Sequence, residues 1–472
     1  MQDNEALDLF DEEGKYKWFT RTEPRQADGP VKVDDKTGFR YQYWSIGMVR
    51  NAKEENRDRV KVFLDPIPHI IIPKAKPLQG WYKAKFEPKG VRPRPCMTES
   101  VLTEPYGGYC AVGCGFCYIN SGQRGYRATG LTTVPQDYGD QVREQLRKWR
   151  TSAAGYICSF IDPFLPLEGI YHNSQGCAEA FHAEGLPVYF LSRLLYPDWS
   201  YDLLRKNKYS YAQMSINTND PNDWRKLSPK AAALKELFEQ IRELHKNKIY
   251  ISIQCNPIVA GVTSNEDIVK LIYKLADCGA DHVIFKFVEA AYSWKGALVD
   301  KMTKQFGAER GESFRKLLTC NIGGQVTIQE EYRLDALNLF RKHCKKAGIT
   351  MATCYEYEYE RDKKGNIVNS TGVSVGPKYL TADQCHGHRV PMFTREHPDS
   401  KFTEVEECPP SGCLHCGDDN NGIGSCGSLL FSQAGALRST DYRVPVHHSK
   451  TLTQIQKYAP RTEASDLVQI KL

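Results

Sequence analysis

No stretch of the 472 residues approaches the run of about 18 apolar residues that a membrane-crossing helix requires. The opening MQDNEALDLFDEEGKYKW is acidic and polar and has nothing like the apolar core of a secretory signal. These absences place the protein, as an expectation, in the cytoplasm with no membrane contact. Internal repeats and low-complexity segments are also missing, which excludes solenoids and disordered arrays. Charge of one sign is scarce: 63 Lys and Arg against 57 Asp and Glu give a net +6. A hydrophobic fraction of 41% is enough to bury a sizeable core, and the length suggests two or three units. Cysteine, by contrast, is abundant, with 16 residues. A disulfide framework belongs to short secreted chains, so reduced, metal-binding thiolates are the better reading.

The small positive excess is unevenly spread. Residues 50–95 carry about seven more positive than negative charges, a surface that can attract phosphate. Within it Lys74, Lys76, Lys83, Lys85, Lys89, Arg92 and Arg94 interleave with Trp81, Tyr82 and Phe86. Cations among aromatics suit single-stranded or flipped-out nucleic acid. A solvated, proline-rich strap over the core is the alternative. Residues 1–97 thus read as an irregular basic and aromatic arm with a few short strands.

From residue 98 to 353 strand-like and helix-like segments alternate. SVLTEP, GYICSF, LPVYFLS, YSYAQMSINT, KIYISIQC and DHVIFKFV are short β-branched, aromatic or apolar runs. Between them lie DYGDQVREQLRKWR, then SPKAAALKELFEQIRELHKNK with Ser228 as expected N-cap, and SNEDIVKLIYKLADCG with Ser264 as cap and Gly279 as stop. Six βα units predict an α/β fold, a partial (β/α)6 TIM-like barrel, with sites at the C-terminal strand ends. EEYRLDALNLFRKHCKKAG then leads to a further strand, ITMATC. Residues 354–438, rich in Gly, Asp, Asn and Cys, read as a separate Cys-rich metal-binding domain, and 439–472 as a tail.

Directly after the first predicted strand, Cys110, Cys114 and Cys117 form C-x3-C-x2-C. Three thiolates on one loop can hold three irons of a 4Fe–4S cluster and leave the fourth open for chemistry. Gly107, Gly108, Gly113 and Gly115 let such a loop wrap tightly. Phe116 can cover the cluster and a bound nucleobase. A structural zinc site is the alternative, but it normally uses four ligands in C-x2-C pairs.

The motif resembles that of the radical S-adenosylmethionine (SAM) superfamily. The resemblance implies that the open iron holds SAM, whose reductive cleavage gives a 5′-deoxyadenosyl radical, fed by a flavodoxin- or ferredoxin-type reductant. Over residues 100–290 the chain is similar to the spore photoproduct lyase-like branch. ICSFIDPFLPLE resembles that branch's second-strand signature, GLPVYFLSR its third strand, YAQMSINT its fourth, and QCNPIVAGVTSNEDI its fifth. This implies cofactor contacts from Phe116, Asp162, Ser192, Arg193, Ser215, Asn256 and Pro257. Leu191, Ser192 and Arg193 depart from the Thr-Lys-Ser usual there, with Arg193 standing as the cation for the SAM carboxylate. Cys158 matches the cysteine that returns a hydrogen atom to the substrate radical, with a small buried strand residue as the plainer reading.

A second group comprises Cys354, Cys385, Cys408, Cys413, Cys416 and Cys426. Cys413-Leu-His-Cys416 is a knuckle of metal-site spacing. A second 4Fe–4S cluster is expected, zinc being the alternative, on Cys354, Cys385, Cys413 and Cys416, with Cys408 and Cys426 as competitors. His386, His388 and His415 are further ligands if the metal is zinc.

The lyase resemblance implies a thymine-derived group in DNA as substrate, for lesion repair or for a radical rearrangement in base hypermodification. Base access then requires extrusion or a single strand, helped by the basic arm or by Arg124 and Arg127. Two rivals stand beside this expectation. One is a radical SAM enzyme modifying a peptide or small metabolite, with the C-terminal cluster as electron relay or substrate anchor. The other is a nucleic-acid binder with two structural zinc sites.

Overall fold

The computed structural model describes residues 25–47, 57–73, 78–81, 100–117, 129–149, 151–322, 325–354, 356–365, 367–382 and 384–406. Seven parallel strands form its centre: β1 (Val101–Thr103), β2 (Gly155–Ile157), β3 (Val188–Ser192), β4 (Tyr211–Ser215), β5 (Ile251–Ile258), β6 (His282–Phe287) and β7 (Thr350–Thr353). They lie side by side in chain order, and Leu78–Trp81 adds an antiparallel edge next to β1. ITMATC, the strand expected after the six βα units, joins the same sheet as its seventh parallel strand, because Thr350 to Thr353 pair in parallel with His282 to Phe285.

Helices fill the connections: α1 (Tyr138–Leu146), α2 (Asn173–Ala183), α3 (Asp198–Lys206), α4 (Pro221–Leu227), α5 (Leu234–Lys246), α6 (Asn265–Cys278), α7 (Lys295–Phe306) and α8 (Glu330–Ala347). In α5 the spacing of Leu234, Leu237, Phe238, Ile241 and Leu244 buries one stripe. Each such side chain contributes about 1.5–3 kcal/mol by leaving water. Ser264 caps α6 by accepting the Asp267 N–H at 3.1 Å, and Gly279 stops it at φ 93°. Ser228 does not cap α5. It ends α4, and α5 begins after Ala233, whose N–H is taken by Glu236 at 2.9 Å.

Side chains alternate between the two faces of the sheet. Phe190, Met214, Ile253 and Phe285 join the large apolar core under the helices. Tyr189 and Tyr211 take the other face, where Tyr156, Tyr189 and Tyr211 stack at 4.7 and 4.5 Å. At the N-terminal strand ends this face is closed by residues 384–388. There His386 Nδ1 meets the Tyr211 hydroxyl at 2.6 Å, and His388 stacks on Tyr250 at 4.5 Å. Farther on, Phe393 and Thr394 pair with Thr151 and Ser152, and Arg395 binds Glu184 at 2.7 Å. The described part of the Cys-rich segment thus packs on the main body instead of standing apart.

The N-terminal segment is more regular than its composition suggests. Arg25–Val33, Arg40–Gly47 and Arg57–Phe63 form an antiparallel meander. It continues through His69–Ile72 and Thr132–Pro135 to Gly107–Gly108, beside the cysteine loop.

Candidate functional site

The loop bearing Cys110, Cys114 and Cys117 leaves the C-terminal end of β1, and all three thiols are half-buried. Gly113 sits at φ 70°, a conformation open to glycine without strain. A side chain at Gly115 would press on the Gln305 Oε1 at 3.0 Å. The backbone N–H groups of Asp162 and Val112 point at the Cys110 sulfur and favour its thiolate, while burial and the negative charge of Asp162 push the thiol up. Ser228 donates its hydroxyl to Cys114 Sγ at 3.4 Å.

The seven residues expected at the cofactor converge beside this loop. Asp162 accepts the Ser192 hydroxyl at 2.8 Å and the Arg193 N–H at 2.7 Å. Burial raises the Asp162 carboxyl, and those hydrogen bonds oppose the rise. The Arg193 guanidinium donates to the Asn256 carbonyl at 2.9 Å, and to Asn217 Oδ1 and Ser228 Oγ at 3.3 Å each. It also lies 5.0 Å from the centre of the Phe116 ring and 5.1 Å from that of Trp224. Ser215 reaches the Asn256 carbonyl at 3.4 Å, and Asn217 holds the Pro257 carbonyl at 2.7 Å. Arg193 is only 8% exposed, and among the described residues no carboxylate pairs with its guanidinium. A buried cation satisfied by neutral acceptors alone is a seat for an anionic ligand.

Cys158 takes its expected place, one residue past β2, with its N–H on the Thr103 carbonyl at 2.9 Å. It is 2% exposed and adopts φ 67°. Burial and the surrounding acids Glu104, Asp162 and Glu168 keep its thiol protonated. The sequence reading missed Glu104. Its carboxylate gathers the N–H groups of Ser159, Phe160 and Ile161 and the Ser159 hydroxyl, at 2.7–3.3 Å, and so fixes the loop after β2. Burial raises this carboxyl to about 7 against those bonds. Asn217 and Ser228 were also missed. Asn217 lies within the quoted SINT run, and Ser228 was read as a helix cap.

The described members of the second cysteine group do not come together. Cys354 follows β7, with its N–H on the Phe285 carbonyl at 3.0 Å. The Cys385 carbonyl accepts His282 Nε2 at 2.9 Å, at the start of β6, level with Thr350. Four residues of strand, about 13 Å, separate those levels. Sulfurs sharing a zinc ion stand about 3.8 Å apart. Cys354 and Cys385 therefore lie at opposite ends of the strands, too far apart in this structure to share one zinc ion. Cys408, Cys413, Cys416, Cys426 and His415 lie outside the described residues, as do Arg124 and Arg127.

Among the described residues no three His, Cys, Asp or Glu side chains converge as a single metal ion needs. The donor set of the first loop fits a cluster of several irons: three thiols on one loop, hydrogen-bond donors aimed at two of the sulfurs, and a cation beside them.

Comparison with known proteins decides the family. A radical SAM Nalpha-GlyT isomerase of Pseudomonas phage M6 is 54% identical over 441 residues, which cover 91% of each chain. The chain belongs to this radical SAM family. It is accordingly a radical SAM enzyme of the lyase or isomerase type, and SAM with a 4Fe–4S cluster are its cofactors. Among solved structures, a spore photoproduct lyase mutant with bound AdoMet and dinucleoside spore photoproduct is 13% identical. That likeness covers 52% of this chain and 73% of the lyase, at a TM-score of 0.40. Streptococcus suis SuiB bound to its precursor peptide SuiA is 15% identical over 40% of this chain and 39% of SuiB, at 0.30. No family model matches the chain. Among the described residues, no helix of this radical SAM enzyme is long and apolar enough to cross a membrane.

Proposed function

We propose that the protein is a radical SAM isomerase acting on a glycyl group joined through its α-nitrogen to thymine in DNA. The observation that carries this reading is the likeness to the phage Nalpha-GlyT isomerase, which spans 91% of both chains. Reading its T as thymine follows the thymine-derived substrate expected from the sequence, and the basic, aromatic residues 50–95 suit a nucleic-acid partner. The parallel sheet with its cysteine loop at a C-terminal strand end suits a partial barrel built around the cofactor.

Cluster and SAM, when bound, supply the carbon radical that takes a hydrogen atom. The chain's own residues do the holding. Cys110, Cys114 and Cys117 would bind three irons. Arg193 would face the SAM carboxylate, with Asp162 and Ser192 fixing its backbone. Asn256, Pro257 and Ser215 would border the adenosine, and Phe116 would cover the cluster. An isomerase conserves every atom, so a hydrogen removed from the glycyl α-carbon must be matched by one returned. Cys158, kept as a thiol by burial, suits that return because the S–H bond is weak. The thiyl radical left behind would take back the hydrogen first removed from the substrate, so that thiol and hydrogen count are both restored.

Glycine in the relative's name also suits a second reading, in which the substrate is a peptide with an N-terminal glycine. The test offers the reduced holoenzyme two substrates separately: DNA carrying Nα-glycyl thymine, and a glycyl peptide. Conversion of the DNA base to an isomer of unchanged mass and new fragmentation supports the first reading. Conversion of the peptide alone would replace it with the second.

A further inference from the structure

Thr103 and Ile157 are parallel partners at the ends of β1 and β2, and the residues that follow them are Glu104 and Cys158. The strands stay tied one step further, because the Cys158 N–H donates to the Thr103 carbonyl at 2.9 Å. There Cys158 turns to φ 67°, a backbone region that glycine enters freely and other residues only when their surroundings hold them in it.

Glu104 does the holding. The chain after Cys158 turns three successive N–H groups toward one carboxylate: Ser159 at 2.8 Å and Phe160 at 3.0 Å on Oε1, and Ile161 at 3.3 Å on Oε2. Ser159 adds its hydroxyl at 2.7 Å. Successive backbone N–H groups aimed at one point make a concave seat for an anion, and here the protein supplies the anion itself. A carboxylate only 9% exposed is tolerated because these bonds satisfy it. Its backbone is fixed in turn. The Glu104 N–H donates to the Tyr138 hydroxyl at 3.0 Å, which also meets Thr103 Oγ1 at 2.8 Å. At the far end of the same loop, Asp162 holds Ser192 and Arg193. Residues 158–162 thus carry the thiol at one end and the carboxylate that orders Arg193 at the other, with Glu104 gripping the middle.

We propose that Glu104 is the positioning residue for Cys158, setting the reach of its thiol toward the 5′-carbon of the cofactor. The inference rests on the reading of Cys158 as hydrogen-atom donor and deepens it. The hydrogen that a Cys158 thiyl radical takes back sits on 5′-deoxyadenosine, so sulfur and 5′-carbon must come within reach of each other. Transfer in the other direction, from the thiol to the 5′-radical, uses the same geometry. A displacement of about 1 Å between reacting atoms can cost about a hundredfold in rate. Glu104→Gln keeps the size of the side chain but turns an NH2 group toward N–H donors, which loosens the loop without emptying its seat.

The experiment needs no substrate. Holoenzyme, SAM and dithionite react in D2O at about pH 8.5, where a carboxyl raised to about 7 is ionised. The S–D bond of Cys158 breaks as a C–D bond forms on the 5′-carbon, and an electron from dithionite with a solvent deuteron restores the thiol. Wild type is expected to release 5′-deoxyadenosine carrying one deuterium, and Cys158→Ala to lose most of that label. Glu104→Gln should lower the labelled fraction about fivefold or more, with bound iron and SAM affinity close to wild type. Ser159→Ala, which removes one of the four bonds, should fall between. Amide hydrogen exchange of the holoenzyme follows the loop directly, and residues 158–162 should exchange faster in Glu104→Gln while residues 110–117 do not. A wild-type label in Glu104→Gln overturns the proposal. So does a loss of iron or SAM affinity as large as the loss of label, because Glu104 would then serve the fold as a whole. If Glu104→Gln binds no iron, a wild-type label in Ser159→Ala overturns it instead. An unlabelled wild-type product, or a label kept by Cys158→Ala, would remove the donor reading itself.

Discussion

The Arg193 guanidinium faces the ring of Phe116 at 5.0 Å, so the third strand reaches directly over the cysteine loop. Its other partners are neutral oxygens of Asn217, Ser228 and Asn256. An arginine so placed lacks only an anion. Arg193→Met is expected to weaken SAM binding about tenfold or more, because a charge-assisted hydrogen bond is lost. Equilibrium binding of SAM to the reconstituted protein measures this, with iron content expected to match wild type. An unchanged affinity would assign Arg193 to packing.

Ser228 makes a second connection between the sheet and the loop, through its 3.4 Å contact to Cys114 Sγ. Hydrogen bonds to cluster sulfurs stabilise the more negative, reduced state. Ser228→Ala is therefore expected to lower the reduction potential of the SAM cluster. An anaerobic redox titration followed by electron paramagnetic resonance reads the shift. An equal potential in the variant would mean that the hydroxyl serves Arg193 alone.

Stability should fall on the acid side. Burial holds His386 down to about 3 and His282 down to about 4, against an ordinary value of 6.5. Below pH 6.5 the unfolded chain binds protons that these folded histidines refuse, so unfolding gains. Each such histidine costs about 1.4 kcal/mol per pH unit until its folded value is reached. His386→Asn is expected to flatten the fall between pH 6.5 and 5. Thermal unfolding of wild type and variant at those two pH values tests it, and parallel slopes would contradict it.

The separation of Cys354 from Cys385 predicts that they do not act as a pair. Cys385, under His282 at the N-terminal strand ends, is expected to be dispensable for metal. Iron and zinc content of Cys385→Ala should equal that of wild type. A loss matching that of Cys413→Ala would place Cys385 among the ligands.

Much of this was legible in the sequence where local chemistry decides structure. Strands such as LPVYFLS and DHVIFKFV announced themselves by β-branched and aromatic runs, and α6 by Ser264 and Gly279 at its two ends. The residues expected at the cofactor lie at or beyond the C-terminal ends of the strands, where a parallel sheet gathers them. Ser228 was misread because Ser-Pro-Lys before an amphipathic run looks like a cap, whereas α5 is started by Ala233 and Glu236. The short strands expected in the N-terminal arm pair more regularly than its composition announces, because much of this sequence is polar and exposed, as in RQADGPVKV. Cys354 and Cys385 were grouped by chemistry, and only the sheet reveals that its length separates them.

The central claim is that Cys110, Cys114 and Cys117 hold the cluster that cleaves SAM. The most direct measurement compares wild type with the variant in which all three are alanine, after anaerobic reconstitution. Each is assayed for dithionite-dependent release of 5′-deoxyadenosine from SAM, alongside bound iron. Wild type is expected to release it and the variant to release none, with about four fewer irons bound. Release by the variant at the wild-type rate, or no release by iron-loaded wild type, would contradict the account.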